Sequence, residues 1–343
     1  MPLYSLLRPL VFKLDAETAH RATIAALKMA PKRKLPEFPS SLRTTVAGID
    51  FPSPVGLAAG FDKDGEVPEQ MLGLGFGFVE VGTLTPKPQP GNPAPRLFRL
   101  VEDEAVINRM GFNNGGQADA MPRLARAGHG RGIIGVNIGA NKDSLDRIAD
   151  YQEGVRRMSR FGRYLTVNIS SPNTPGLRGL QDEGALRELL VAVEEVRSDK
   201  PIFLKVAPDL ADGDPERIVR AALDHHLDAQ IVTNTTVSRP ALKSSHAGEL
   251  GGLSGAPLKA LALDALRKFR SASGGQIPLI GVGGIATADD AWERITAGAS
   301  LIQLYSAMIY DGPGLAWRIA EGLAQRLERE GYSGISEIVG SAA

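Results

Sequence analysis

Apolar residues recur near the N-terminus at the spacing of one helical face. Leu3, Leu6, Leu7, Leu10 and Leu14 make a single stripe, which predicts a first helix. Asp15 is placed to cap a second, with Glu17 in its first turn; this helix runs through Ala19, Ala22, Ala26 and Met29 until Pro31 stops it. From residue 31 to residue 39, three prolines and four charges replace the periodicity, as in a linker. Residues 44–47 and 49–51 then flank Gly48 in the manner of a hairpin. Beyond the hairpin the pattern changes again. Eight short apolar, β-branched-rich runs follow, at residues 55–58, 78–81, 133–136, 164–167, 202–206, 229–232, 279–282 and 301–304. Each precedes a loop and, in most cases, a helical stretch. Near-continuous apolar strands alternating with helices indicate a parallel sheet buried on both faces. Eight such units predict an α/β fold, a closed (β/α)8 TIM barrel over residues 37–343, carrying an N-terminal helical extension over residues 1–36.

Charge divides the same two regions. The extension holds seven basic residues (Arg8, Lys13, Arg21, Lys28, Lys32, Arg33, Lys34) and two acidic ones, a net +5. The whole chain balances 39 basic against 39 acidic residues, so the remainder carries −5 and no global field draws nucleic acid. A basic amphipathic helix pair suits an anionic membrane surface. Helices packed on a larger domain with solvated charges account for the same pattern, and the residues alone favour that plainer reading. The chain has no cysteine, which excludes disulfides, thiolate zinc sites, a cysteine nucleophile and a cysteine-ligated iron–sulfur cluster on it; no metal site is assigned. No apolar run is long enough to span a bilayer. Pro9, Lys13 and Asp15 interrupt what would be the apolar segment of a signal peptide.

In such a barrel the chemistry sits at the C-terminal ends of the strands. The residues at or just past the end of each run are rich in small and polar groups: residues 59–63, Gly82 and Thr83, residues 137–139, residues 168–173, Lys205 with Ala207 and Pro208, residues 233–236, residues 283–285, and Tyr305 with Ser306. Gly281 near the end of the seventh strand leads to Gly283 and Gly284 just past it, where backbone N–H groups of this fold often grip a phosphate, and residues 287–290 read as a capping box opening the next helix. Lys205 interrupts an apolar strand, so it points inward and needs an anion or a partner. Lys63, at the end of the first strand, suits a carboxylate, or else pairs with Asp62 or Asp64 at the surface.

Seven strings, taken in order, resemble the dihydroorotate dehydrogenases: residues 56–65, 93–99, 108–114, 168–176, 233–236, 251–255 and 281–285. The resemblance covers nearly the whole chain. It implies bound FMN, contacted by Ala59, Gly60, Phe61, Asp62, Lys63, Thr83, Asn137, Asn168, Lys205, Thr233, Gly255, Gly284, Tyr305 and Ser306. It implies an orotate ring surrounded by Lys63, Asn108, Arg109, Met110, Gly111, Phe112, Asn168, Asn173, Asn234 and Thr235. The family's soluble class uses a catalytic cysteine and its membrane-associated class a serine; Ser171 occupies that position here. Thr174 and Phe112 match a relay from that serine to solvent, and Lys205 would stabilise the charge that accumulates on a reduced flavin. The membrane-associated class also carries an N-terminal helical extension that guides a quinone to the flavin. Residues 1–36 look like it, which reverses the plainer reading, and His20 and Arg99 match positions near the quinone tunnel.

The implied activity is oxidation of dihydroorotate to orotate in pyrimidine biosynthesis, with a membrane quinone as final acceptor. The implied location is peripheral, at the cytoplasmic face of a bacterial inner membrane. Ser171 and the N-terminal helices disfavour a soluble fumarate- or NAD-linked relative. Neutral charge disfavours a flavin barrel acting on RNA. A serine hydrolase needs a base near Ser171, yet none of His20, His129, His225, His226 and His246 sits at a strand end, and no G-x-S-x-G elbow is present. A non-catalytic, phosphate-binding barrel would have no need of the polar residues kept at every strand end.

Overall fold

A computed structural model of the chain describes residues 2–343 apart from residue 32 and residues 128–131, with side chains from residue 4 onward. The Leu3 side chain, Lys32 and His129 of the sequence reading therefore lie outside the described residues. Helices α1 (Pro2–Val11) and α2 (Ala16–Met29) open the chain. Asp15 caps α2, its carboxylate accepting the N–H groups of Glu17 at 3.0 Å and Thr18 at 2.9 Å. Strands β1 (Thr44–Val46) and β2 (Ile49–Phe51) pair antiparallel. Ala47 and Gly48 between them are both left-handed, as a two-residue hairpin turn requires.

The barrel begins with β3 (Val55–Leu57), α3 (Pro68–Leu72) and β4 (Phe78–Leu84). An excursion, β5 (Leu97–Leu100) and β6 (Ala105–Asn108), precedes α4 (Gln117–Ala127). Then come β7 (Ile133–Ile138), α5 (Arg147–Met158), β8 (Tyr164–Asn168), α6 (Glu183–Glu195), β9 (Ile202–Val206), α7 (Asp214–Asp224) and β10 (Ala229–Val232). A second excursion, β11 (Gly252–Gly255), leads to α8 (Lys259–Ser273), β12 (Leu279–Val282), α9 (Ala288–Thr296), β13 (Ala299–Leu304), α10 (Ser306–Asp311) and α11 (Leu315–Glu330). β3, β4, β7, β8, β9, β10, β12 and β13 close into a parallel barrel in chain order, so all eight strands predicted from the apolar runs are present. The two excursions meet as a separate antiparallel sheet, β11–β6–β5, at the mouth. That sheet is absent from the sequence reading, because each of its strands has only four residues and β11 begins and ends on turn-like glycines.

Aromatic residues fill the floor of the barrel. Phe51 of the hairpin packs edge-on against Phe78 at 5.0 Å, and Tyr164 stacks on Phe203 at 4.3 Å. These large rings need small neighbours: a Cβ on Gly56 would sit 2.2 Å from the Phe78 ring, and one on Gly135 2.1 Å from Tyr164. The helices cover the outside through Leu124, Val155, Leu189, Val219, Leu266, Ile295 and Leu323, all buried. A capping box opens α9, with Thr287 and Asp290 satisfying each other's backbone N–H groups.

α1 leaves its leucine stripe outside, whereas α2 buries Ala19 and Ile24 against the barrel, and both helices add polar contacts. The Tyr4 hydroxyl donates to the Ile309 carbonyl, Arg8 donates to the Tyr310 carbonyl at 3.0 Å, and Phe12 meets the Tyr310 ring edge-on at 5.8 Å. On α2, Glu17 takes a two-pronged ion pair from Arg96, while Arg21 and Lys28 converge on Glu66. Leu6 is 73% exposed and Leu10 60%; Leu7, Leu14 and Met29 are exposed as well. Among the described residues no helix is long and apolar enough to cross a membrane.

Candidate active site

A cavity opens at the C-terminal ends of the strands, between the barrel and the three-stranded sheet. Its polar half gathers residues from five segments: Lys63 after β3, Asn108 at the end of β6, Ser171 and Asn173 after β8, Lys205 on β9, and Asn234 with Thr235 after β10. Its other half is bounded by residues 283–286 and by Tyr305 and Ser306. Two features mark this half as suited to an anion. The backbone N–H groups of Gly283 and Gly284 make no hydrogen bond within the described protein. Both glycines have positive φ, at 114° and 67°, and carry no side chain to keep a ligand from the backbone. Arg294, fully buried on α9, donates to the carbonyls of Gly283 at 2.9 Å and Lys259 at 2.6 Å, fixing this loop from beneath.

Lys205 is buried, faces the cavity and makes no hydrogen bond to protein among the described residues. Burial lowers its pKa, and the negative charge of Glu80 opposes that shift. Lys63 donates to the Gly60 carbonyl at 2.6 Å. Burial pushes its pKa down from 10.5 to about 8, with Glu17 and Asp64 pulling it back up. A buried and a half-buried cation without full partners are costly unless a ligand supplies negative charge.

The asparagines form a connected chain of three, Asn137, Asn168 and Asn234, and a separate pair, Asn173 and Asn108. Asn168 Nδ2 donates to Thr83 Oγ1 and Asn137 Oδ1, both at 3.1 Å, while its Oδ1 accepts from the Ser170 hydroxyl at 2.6 Å. Asn234 Nδ2 donates to Ser170 Oγ at 2.8 Å, and Asn173 Nδ2 reaches Asn108 Oδ1 at 3.3 Å. Ser171 is buried; its Oγ accepts the Asn173 N–H at 3.2 Å. Thr174, three residues from Ser171, is buried, and its hydroxyl has no hydrogen-bond partner among the described residues. Among the described residues no histidine lines the cavity, so none of them gives Ser171 the base a hydrolase needs. Phe112 lines the same wall with φ 54°, a strained conformation for a non-glycine residue, and Gly139 leaves it room, since a Cβ there would meet its ring at 2.9 Å.

Several residues from the sequence reading lie elsewhere. Asp62 turns its carboxylate to the N–H groups of Glu66 at 2.7 Å and Val67 at 2.8 Å, and burial raises its pKa to about 6. Phe61 packs between His20 and Tyr305, at 5.4 and 5.7 Å. Arg109 lies over the Phe98 ring and pairs with Glu249 at 2.7 Å. Asn137 sits one layer below the lining. His20 stands behind Tyr305 at 3.4 Å, and burial with the nearby charges of Lys63 and Arg21 drives its pKa to about 3, so it is a neutral imidazole. Arg99 holds the end of α1, donating to the carbonyls of Val11, Phe12 and Leu14. Ala59, Gly60, Thr83, Met110, Gly111, Thr233 and Gly255 join the lining, as does Gly284.

Residues not singled out in the sequence complete the site. Arg178 donates to the Ser170 carbonyl at 3.1 Å, to Asp209 at 2.8 Å and to the Thr235 carbonyl at 3.0 Å, binding the loop after β8 to that after β10. Its sequence signal is slight, an arginine in an ordinary polar loop. Glu80 had a stronger one, a lone carboxylate inside an apolar strand.

The model of the dihydroorotate dehydrogenase family matches residues 41–327, most of the chain and all eight barrel strands. The chain belongs to that family. It is 62% identical to a dihydroorotate dehydrogenase (quinone) of Novosphingobium aromaticivorans, over 99% of this chain and 100% of that one. It is 63% identical to one from Erythrobacter litoralis, over 99% of each. Among solved structures, DHODH from Eimeria tenella in complex with ferulenol superposes with a TM-score of 0.92 at 41% identity, over 96% of each chain.

Proposed function

We propose that this chain is a dihydroorotate dehydrogenase (quinone): it oxidises dihydroorotate to orotate in pyrimidine biosynthesis, and the electrons pass through bound FMN to a membrane quinone. The observation that carries the reading is a buried serine, Ser171, in one cavity with Asn108, Asn173, Asn234 and two incompletely partnered lysines, and with no histidine lining it among the described residues.

The residues present fit the cofactor. The free N–H groups of Gly283 and Gly284 suit its phosphate, and the unpartnered Lys205 ammonium suits a ring that gains negative charge on reduction. FMN, when bound, supplies a two-electron acceptor for the hydride that leaves C6 of the substrate. Lys63 holds the substrate carboxylate. Asn108, Asn173 and Asn234 offer the alternating donors and acceptors that a pyrimidine ring needs. Ser171 Oγ takes the proton from C5 while its own proton leaves toward the Thr174 hydroxyl. Phe112, pressed onto Gly139, keeps bulk water from that path.

The cavity extends to Ile309 and Tyr310 of α10, whose carbonyls Tyr4 and Arg8 of α1 hold. A quinone entering under α1 reaches the cavity there, with His20 and Arg99 flanking the route. The exposed leucines of α1, above a basic segment, rest on an anionic membrane as a peripheral anchor, at the cytoplasmic face of a bacterial inner membrane. The test compares a short-chain quinone, fumarate and NAD as acceptors for dihydroorotate oxidation by the holoenzyme. Quinone is expected to be reduced far faster than either; faster reduction of fumarate or NAD would overturn the reading.

A further inference from the structure

Beneath the cavity stands a carboxylate that the reaction above does not use. Glu80 lies midway along β4, fully buried, and forms no ion pair within 4.0 Å among the described residues. Its oxygens are nonetheless saturated: Oε1 accepts from Asn137 Nδ2 at 2.7 Å, and Oε2 from Gln303 Nε2 at 2.8 Å and the Tyr164 hydroxyl at 3.1 Å. A buried carboxylate is retained at a cost, so its three donors and its charge call for an explanation.

The direction of the hydrogen bonds supplies one. A carboxylate only accepts. Asn137 must therefore turn its amide nitrogen down to Glu80 and its oxygen up. That oxygen accepts from Thr83 Oγ1 at 2.6 Å and from Asn168 Nδ2. With its nitrogen committed downward, Asn168 presents Oδ1 to the hydroxyl of Ser170 at 2.6 Å and to its N–H at 3.2 Å. Ser170 Oγ, its proton given away, accepts from Asn234 Nδ2, and Asn234 Oδ1 takes the Thr235 N–H at 2.8 Å. One acceptor at the bottom thus fixes which end of each amide faces which way up to the cavity lining. Its charge also reaches Lys205 across the barrel interior, where it opposes the loss of the lysine's proton.

We propose that Glu80 is a positioning residue: as a carboxylate it sets the donor–acceptor polarity of the Asn137–Asn168–Ser170–Asn234 relay and supplies the countercharge that keeps Lys205 cationic toward the flavin. This rests on the flavin-dependent reading above. Glutamine matches glutamate in size and reach but is neutral and can donate, so a residue that merely fills the barrel would tolerate the exchange.

The test uses holoenzyme of wild type, Glu80→Gln, Glu80→Asp and Lys205→Met. FMN release on dilution is followed from pH 6 to pH 10 by the recovery of free flavin fluorescence. Lys205 gives wild type an alkaline limb, identified by its absence in Lys205→Met. In Glu80→Gln, release is expected to be about tenfold more extensive at pH 7, with the limb about one pH unit lower. Glu80→Asp, which keeps the charge, should hold the limb near its wild-type place. Wild-type retention and limb in Glu80→Gln would overturn the proposal, as would weaker retention with an unmoved limb, which is what a packing role gives. If Glu80→Gln does not fold, the double variant Glu80→Gln/Lys205→Met decides. Recovery of folded, flavin-bearing protein is expected once both charges are gone, and no recovery overturns the countercharge. A wild-type protein without flavin would instead overturn the flavin reading, and this inference with it.

Discussion

Lys63 should make substrate capture pH-dependent in a range where an ordinary lysine is silent. Burial brings its pKa from 10.5 to about 8; Glu17 and Asp64 raise it, and Arg21 and Arg96 lower it further. Only the ammonium form holds a carboxylate, and the substrate's own carboxylate is ionised throughout this range. At pH 7 about ten of eleven molecules carry the charge, and at pH 9 about one in eleven, so kcat/KM should fall about tenfold between them. The sign is that of a depressed cationic group: capture is complete below the folded-state pKa and lost as pH rises through it. Because bound carboxylate draws the proton back onto Lys63, the loss should appear in KM far more than in kcat. The assay is initial-rate kinetics with dihydroorotate from pH 6 to pH 9.5 at constant ionic strength. Lys63→Arg, whose guanidinium stays charged, should capture less well at pH 7 but show no such limb. A flat kcat/KM up to pH 9.5, or the same limb in Lys63→Arg, would refute the assignment of the carboxylate to Lys63.

Three further outcomes follow from the same geometry. Ser171→Ala should keep the yellow flavin yet slow its reduction by dihydroorotate about 100- to 10,000-fold in stopped flow, the usual worth of a positioned general base; wild-type reduction would remove Ser171 from the chemistry. Leu6→Asp/Leu10→Asp changes side chains that are 73% and 60% exposed, so the melting temperature should stay unchanged while sedimentation with anionic vesicles and turnover of a long-chain quinone both drop. Undiminished vesicle binding would assign the stripe another task. Gly56→Ala would force a Cβ to within 2.2 Å of the Phe78 ring and should cost about 1–3 kcal/mol of stability by denaturant unfolding, with no loss if the floor of the barrel is loosely packed.

Much of the architecture was legible because it depends on local pattern. A parallel strand buried on both faces must be apolar along its whole length, so the eight barrel strands stood out as runs, and the caps at Asp15 and Thr287 followed from donors that every helix start leaves unpaired. The three-stranded sheet was not legible. Each of its strands has four residues, and β11 pairs with β6 across more than a hundred residues of chain. Pairing of that kind leaves no periodic trace in either segment. Within the site, Lys205 was readable as an inward charge in an apolar strand. By the same rule Glu80 carried an equal signal, but its meaning depends on Asn137, Tyr164 and Gln303, which come from three other strands.

The sequence by itself determined the barrel, its polar mouth and the amphipathic, basic start of the chain, because strand burial, loop polarity and helical spacing are each written within a few consecutive residues. Only the tertiary structure decided how those parts act on one another. It turned Asp62 and Arg109 away from the cavity, set α1 over its far end with the leucines outward, and strung Asn137, Asn168 and Asn234 into one relay above a buried carboxylate. The physical reason is that hydrogen-bond direction and the pKa of a buried group depend on which side chains meet in space, and closure of the barrel brings together residues that no local pattern links.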